Sequence, residues 1–255
     1  MIATAYRLPF SGTHSPGAGP SGQPVAIHIQ TAAPDRAGVV MRTMELFAQL
    51  AATGALGGAG AAPWETKFTP VPTPLNDDSD FRFDVHPCLL AEEAWLVLCH
   101  LLLAAHHSVP VRGVAVLHPG DPSPIPLAQS TLPESSYPRA YAPLPFALDD
   151  LEPEGGGYSL LISLAAPLSP ANEALLNRSL AVWVEAILRG GYGLAPIDPA
   201  DSYIEPDGAI DTYDTTIEWA VFKLRADPEA AIDGLLNLLC AFHVRAQAIV
   251  SVEIG

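Results

Sequence analysis

Gly57-Gly58-Ala59-Gly60-Ala61-Ala62-Pro63 returns 133 residues later as Gly190-Gly191-Tyr192-Gly193-Leu194-Ala195-Pro196. At the same offset, Ile29-x-x-Ala32-Ala33-Pro34 returns as Ile162-x-x-Ala165-Ala166-Pro167. Upstream, Ala5-Tyr6-Arg7-Leu8-Pro9-Phe10 is echoed by Ala140-Tyr141-Ala142-Pro143-Leu144-Pro145-Phe146. Near the ends, Leu102-Leu103-x-Ala105-x-His107 with Val114-x-Val116 pairs with Leu238-Leu239-x-Ala241-x-His243 with Val250-x-Val252. The matches keep one order in both halves, which reads as a tandem duplication. The period far exceeds that of a solenoid repeat, so two domains are expected rather than a stacked array. The boundaries are 1–119 for the first copy, 120–139 for a Pro- and Ser-rich linker, and 140–255 for the second.

Hydrophobic periodicity fills in each copy. In the first, Val25 to Gln30 alternates as a strand, and Pro34-Asp35 opens a helix with Val39, Val40, Met44, Phe47 and Leu50 on one stripe. Gly57-Gly58 ends it. Trp64 to Val71 is a second strand, Asn76 to Ser79 a turn, and Phe81 to His86 a strictly alternating strand. Leu89 to His107 is an apolar helix, and Val111 to Leu117 the closing strand. The second copy repeats the order: strand 158–164, helix 171–188, a weak strand near Tyr203, strand 216–224, helix 228–243 and strand 248–254. The expected class is α+β, with two tandem ferredoxin-like βαββαβ domains. Each would have an antiparallel sheet with helices on one face.

Composition sets limits on function. The net charge of −16, from 28 acidic and 12 basic residues, repels phosphate backbones and anionic lipid. Neither nucleic acid nor membrane is an expected partner, whereas a basic protein is. Three cysteines in apolar runs, Cys88, Cys99 and Cys240, read as reduced core residues of a cytoplasmic protein. The first residues lack the order of a signal peptide.

Motifs that carry chemistry are scarce. The glycine clusters follow helices, whereas phosphate loops precede them. No HExxH or CxxC spacing is present, so no metal or cofactor is expected. His106, His107 and His243 end helices, where the helix dipole favours an imidazolium. One constellation stands out on the helix-free face of the first sheet. With Ile27, Ile29, Phe81, Phe83 and Val85 turned toward the helices, His28 lies beside Arg82, Asp84 and His86. His28 and Asp84 are the candidate base and its orienting carboxylate, with Arg82 and His86 as ligand contacts. Aligning Phe83 with Phe222 puts Leu161, Val221, Lys223 and Arg225 in the matching places, so that Lys223 and Arg225 extend the ligand set. A solvated sheet face explains the same residues more simply.

Acidic residues gather in connections: Asp77, Asp78 and Asp80 in the first copy, Asp207, Asp211 and Asp214 in the second. These six are the candidate partner-binding set. The leading expectation is a non-enzymatic acidic module that neutralises a basic protein such as a toxin domain, in the manner of an immunity protein. The alternative is a small-molecule-binding protein or enzyme whose two open sheet faces pack together like an α+β barrel around a pocket.

Overall fold

The computed structural model describes residues 6–7, 11–14, 25–56, 67–71, 79–86, 92–117, 125–126, 131–132, 144–150, 158–192, 211–222 and 229–255. It is a mixed α+β structure with four helices and two principal sheets. In chain order the elements are β1 (Tyr6–Arg7), β2 (Ser11–His14), β3 (Val25–Thr31), α1 (Val39–Thr53), β4 (Lys67–Val71) and β5 (Asp80–His86). Then come α2 (Glu92–His106), β6 (Val111–Leu117), β7 (Ile125–Pro126), β8 (Thr131–Leu132) and β9 (Ala147–Asp150). The chain closes with β10 (Tyr158–Leu164), α3 (Pro170–Leu188), β11 (Asp211–Tyr213), β12 (Thr216–Phe222), α4 (Glu229–Arg245) and β13 (Ile249–Ile254).

The first sheet runs β4-β5-β3-β6-β2-β7 and the second β11-β12-β10-β13-β9. Strand alternation decides what each buries. Ile27, Ile29 and Phe83 are essentially inaccessible in the first sheet, as are Leu160, Ile162 and Ile217 in the second, where Ile162 lies opposite Ile217. These residues face helices whose own apolar stripes, Val40, Met44, Phe47 and Leu50 in α1 and Leu176, Leu180, Trp183 and Ile187 in α3, are equally buried. Trp183 donates its indole N–H to Ala231 O at 2.9 Å and tilts against Trp219 at 5.8 Å, which ties α3 to α4 and β12.

Local chemistry fixes the helix ends. The Asp35 carboxylate accepts from Val39 N (2.9 Å) and Val40 N (2.7 Å), filling two donors that a helix start leaves open. Ser169 caps α3 through Asn172 N, with Pro170 in the first turn. Gly190, at φ 75°, terminates α3 as expected. In α1, however, the left-handed stop is Gly54 at φ 90° rather than the Gly57-Gly58 pair, which lies outside the described residues.

Several expectations need correction. The arm, the linker and the segment before the second half are not without structure: β2 lies parallel to β6, β9 lies parallel to β13, and β7 pairs with β2. Both sheets are therefore mixed rather than antiparallel. The second strand of the second half is β11, hairpinned onto β12 through Asp214-Thr215, while Tyr203 lies outside the described residues. Register also shifts the alignment of the halves. Phe83 is opposite Ile27, and Trp219 is opposite Leu160, so Trp219 and not Phe222 holds the place of Phe83.

The two helix pairs pack on each other. α1 lies against α3 and α4. A methyl group on Gly54 would come within 2.5 Å of Ala241 Cβ, and one on Gly191 within 3.0 Å of a Leu101 methyl. Arg245 reaches Ala52 O at 3.4 Å. With helices in the middle, the helix-free faces of the two sheets point outward in opposite directions. Among the described residues, that arrangement does not bring the two open faces together as the alternative expectation of a pocket between them requires.

Gly54→Ala should destabilise the protein by about 2 kcal/mol or more, through both its left-handed backbone and overpacking. Denaturant titration of Gly54→Ala, Ala241→Gly and the double variant should give a favourable coupling of about 1 kcal/mol or more. Strict additivity would mean that the two helix layers do not meet there.

Candidate functional site

The first open face is where the sequence placed its catalytic candidates. His28 lies opposite Arg82 on β5 and Ala115 on β6, and Ala26 lies opposite Asp84. Gln30 lies opposite Asp80. The structure thus brings His28, Arg82 and Asp84 to one patch. The bond that forms, though, is between Arg82 Nε and Asp84 Oδ1 at 3.3 Å, with both side chains partly in water. Asp84 is engaged by the guanidinium, and no hydrogen bond joins it to His28 among the described residues. The His–Asp pair expected of a poised base is replaced by an Arg–Asp pair of the ordinary surface kind.

Burial first, and the neighbouring Arg82 guanidinium second, hold the His28 imidazole below its ordinary value, against the pull of Asp80 and Asp84. His28 is therefore neutral at physiological pH. His86 holds the β5 position opposite Lys67, and nothing further of its side chain is described. Lys223 and Arg225 lie outside the described residues.

The helix-terminal histidines have partners in the strands that follow. His106 Nδ1 lies 3.0 Å from Val111 N and 3.2 Å from Val111 O, and His243 Nδ1 lies 3.0 Å from Ile249 N. Each ring latches a helix end to the next strand. The equivalent of His243 is thus His106, one residue before the His107 that local sequence matching selects. His100, buried in α2, is pushed down to about 4 by desolvation.

The second open face is different in kind. Because Leu161 lies opposite Glu218 on one side and Glu253 on the other, a single row crosses five strands: Asp211, Glu218, Leu161, Glu253, Asp149. Glu218, Glu253 and Asp149 are exposed, and Leu161 is half-buried at the centre. The adjoining row begins with Tyr213, 60% exposed, opposite Thr216. In the first sheet the matching row reads Val71, Arg82, His28, Ala115, Thr13, Pro126. Like charges directly opposite one another disfavour a sheet. Two carboxylates about 5 Å apart in water repel by roughly 1 kcal/mol before salt screening. The row bears that cost at Glu253 with Asp149, and Asp211 holds the register position opposite Glu218.

Of the six acidic residues singled out in connections, Asp77, Asp78 and Asp207 lie outside the described residues. Asp80 is not in a turn: it begins β5 and is half-buried. Asp214 is exposed at the tip of the β11–β12 hairpin with φ 51°, and Asp211 stands in the acidic row. Sequence reasoning missed Glu218 and Glu253, and placed Asp149 in an acidic arm before the second copy rather than in a strand. The alternation around Ile217 and Val252 marked the first two as outward-facing, but aligning Phe222 with Phe83 moved attention to Lys223 and Arg225.

Among the described residues no group of histidine, cysteine or acidic side chains is arranged to hold a metal ion, and no helix is long and apolar enough to cross a membrane. Cys99 and Cys240 are buried and not disulfide-bonded. No family model matches the chain, and no curated protein matches it. Among solved structures, a DyP-type peroxidase from Cellulomonas bogoriensis aligns over 98% of this chain and 93% of its own at 15% identity, with a TM-score of 0.19. A likeness that slight carries no argument about fold or activity.

The lowered histidine values give a testable pH dependence. A histidine whose folded value lies below its unfolded one stabilises above the unfolded value, and that contribution fades as pH falls. For His100 the window runs from about 6.5 to about 4. Denaturant titrations across that range should show a shallower loss of stability for His100→Gln than for the parent. In NMR titration, Arg82→Ala should raise the His28 value toward 6.5. An unchanged His28 titration would remove Arg82 from its surroundings.

Proposed function

We propose that this protein is a non-enzymatic acidic binding module that engages a basic protein through the open face of its second sheet. The observation that carries the reading is the row Asp211, Glu218, Leu161, Glu253, Asp149. It concentrates carboxylates on a flat surface where they repel one another, and a cationic partner would relieve that repulsion. Leu161 and the exposed Tyr213 add apolar and aromatic area of the sort that anchors an interface, and an aromatic face also attracts lysine and arginine. The −16 charge of the whole chain would speed association with such a partner. A neutralising role toward a basic toxin domain in the cytoplasm fits this chemistry, and buried reduced thiols are at home in that compartment.

The same reading includes the origin of the scaffold. The βαββαβ element order of each half and the strand orders β4-β5-β3-β6 and β11-β12-β10-β13 support reading the halves as ferredoxin-like units. A parallel strand flanks the last strand in both halves. Duplication followed by divergence of the open faces accounts for this, with one face left mixed in charge and the other turned acidic.

The test uses charge reversal at matched net charge. One variant carries Glu218→Lys, Glu253→Lys and Asp149→Lys, the other Asp77→Lys, Asp78→Lys and Asp207→Lys. Binding is measured by titration calorimetry against a nine-residue peptide of alternating lysine and valine, at low and moderate salt. The face variant should lose at least tenfold in affinity and most of its salt dependence, while the loop variant changes less than threefold and both retain the parental melting temperature within a few degrees. Equal losses would show that net charge, and not this face, holds the peptide.

A further inference from the structure

The two sheets differ at one edge. In the first, β2 lies parallel to β6, and the chain covers its outer side with β7, pairing Thr13 with Pro126 and His14 with Ile125 antiparallel. In the second, β9 lies parallel to β13 in the same position, and its outer edge is unpaired among the described residues. An open edge presents a row of backbone donors and acceptors that another strand can complete. Ala147 and Asp149 on this edge are exposed.

We infer that the outer edge of β9 receives an extended basic segment of the partner as an added antiparallel strand, in the position that β7 occupies in the first sheet. This inference rests on the acidic-face reading and specifies how the partner is held. Register supplies the chemistry of the occupant. A strand beside β9 lies about 4.8 Å away and lengthens the row Glu218, Leu161, Glu253, Asp149 by one residue, which stands directly opposite Asp149. Lysine or arginine there meets the carboxylate at the end of the row, and the next side chain on the same face, two residues along, runs beside Ala147 or the Asp150 end of the strand. A second copy of this chain is a poor occupant. Its β9 would offer Ala147 and Asp149 on the open face and no cation to meet Asp149. Backbone pairing gives such a complex its affinity, and alternate side chains give it charge selectivity.

The experiment exploits the fact that successive N–H groups of an extended strand point to opposite edges. Two versions of the alternating lysine–valine peptide are prepared, one N-methylated at every lysine and one at every valine. With the lysines held over the acidic face and the strand antiparallel to β9, only one of the two sets of N–H groups points at β9. One methylated peptide should therefore bind at least tenfold more weakly than the other, which should stay within about threefold of the unmodified peptide. Equal binding by the two methylated peptides would overturn the edge-strand inference while leaving the acidic face intact. If the unmodified peptide binds the parent and Glu218→Lys/Glu253→Lys equally, the acidic-face reading itself fails, whatever the methylated peptides do.

Discussion

Everything about this molecule's surface follows from the close approach of two helix layers at its centre. Gly54 comes so near Ala241, and Gly191 so near Leu101, that a side chain at either glycine would collide with its neighbour. Each sheet buries one face against its own helices, and those helices bury their other side against the opposite pair. The remaining sheet faces have nowhere to turn but outward. Among the described residues, the two open sheet faces lie on opposite sides of the helix layers.

The two outward faces differ in charge. In the first, Arg82 and Asp84 bond to each other, and His28 is kept neutral by burial and by Arg82, so charge is balanced locally. In the second, the equivalent positions of Arg82, Ala115 and Thr13 are Glu218, Glu253 and Asp149. No folding requirement calls for that substitution, since opposing carboxylates weaken a sheet. In the proposed reading, a partner of opposite charge offsets that repulsion.

Much of the scaffold was legible because it depends on local rules. Alternation at Ile27 and Ile29, the helical stripe from Val39 to Leu50 and the glycine after α3 each point to one structure, and each appears. What escaped depends on long-range pairing. Ser11–His14 and Ala147–Asp150 are four residues each, too short for a period to register, and they become strands only because β6 and β13 have free edges beside them. Register was misjudged for a related reason. An irregularity between Tyr158 and Leu160 puts Phe222 opposite Tyr158, so the aromatic that matches Phe83 in sequence spacing is not the one that matches it in space. A slip of this sort changes which residues share a face, and it exchanged Glu218 for basic residues in the sequence reading. The His106 and His243 latches show the same limit, because their role is set by a backbone N–H five or six residues ahead.

The central claim is that helices lie between the sheets and that the open faces look away from each other. Spin labels at Gln30 and Ser163, one on each open face, measure this directly by double electron–electron resonance. With layer spacings of about 10 Å for each sheet on its helices and for helix on helix, the backbones at the two sites should be about 30 Å apart or more. Allowing for the labels, which extend outward, the distance distribution should lie wholly above that value and remain narrow. A distribution centred below about 20 Å would mean that the sheet faces meet, and the account of an outward acidic face would be contradicted.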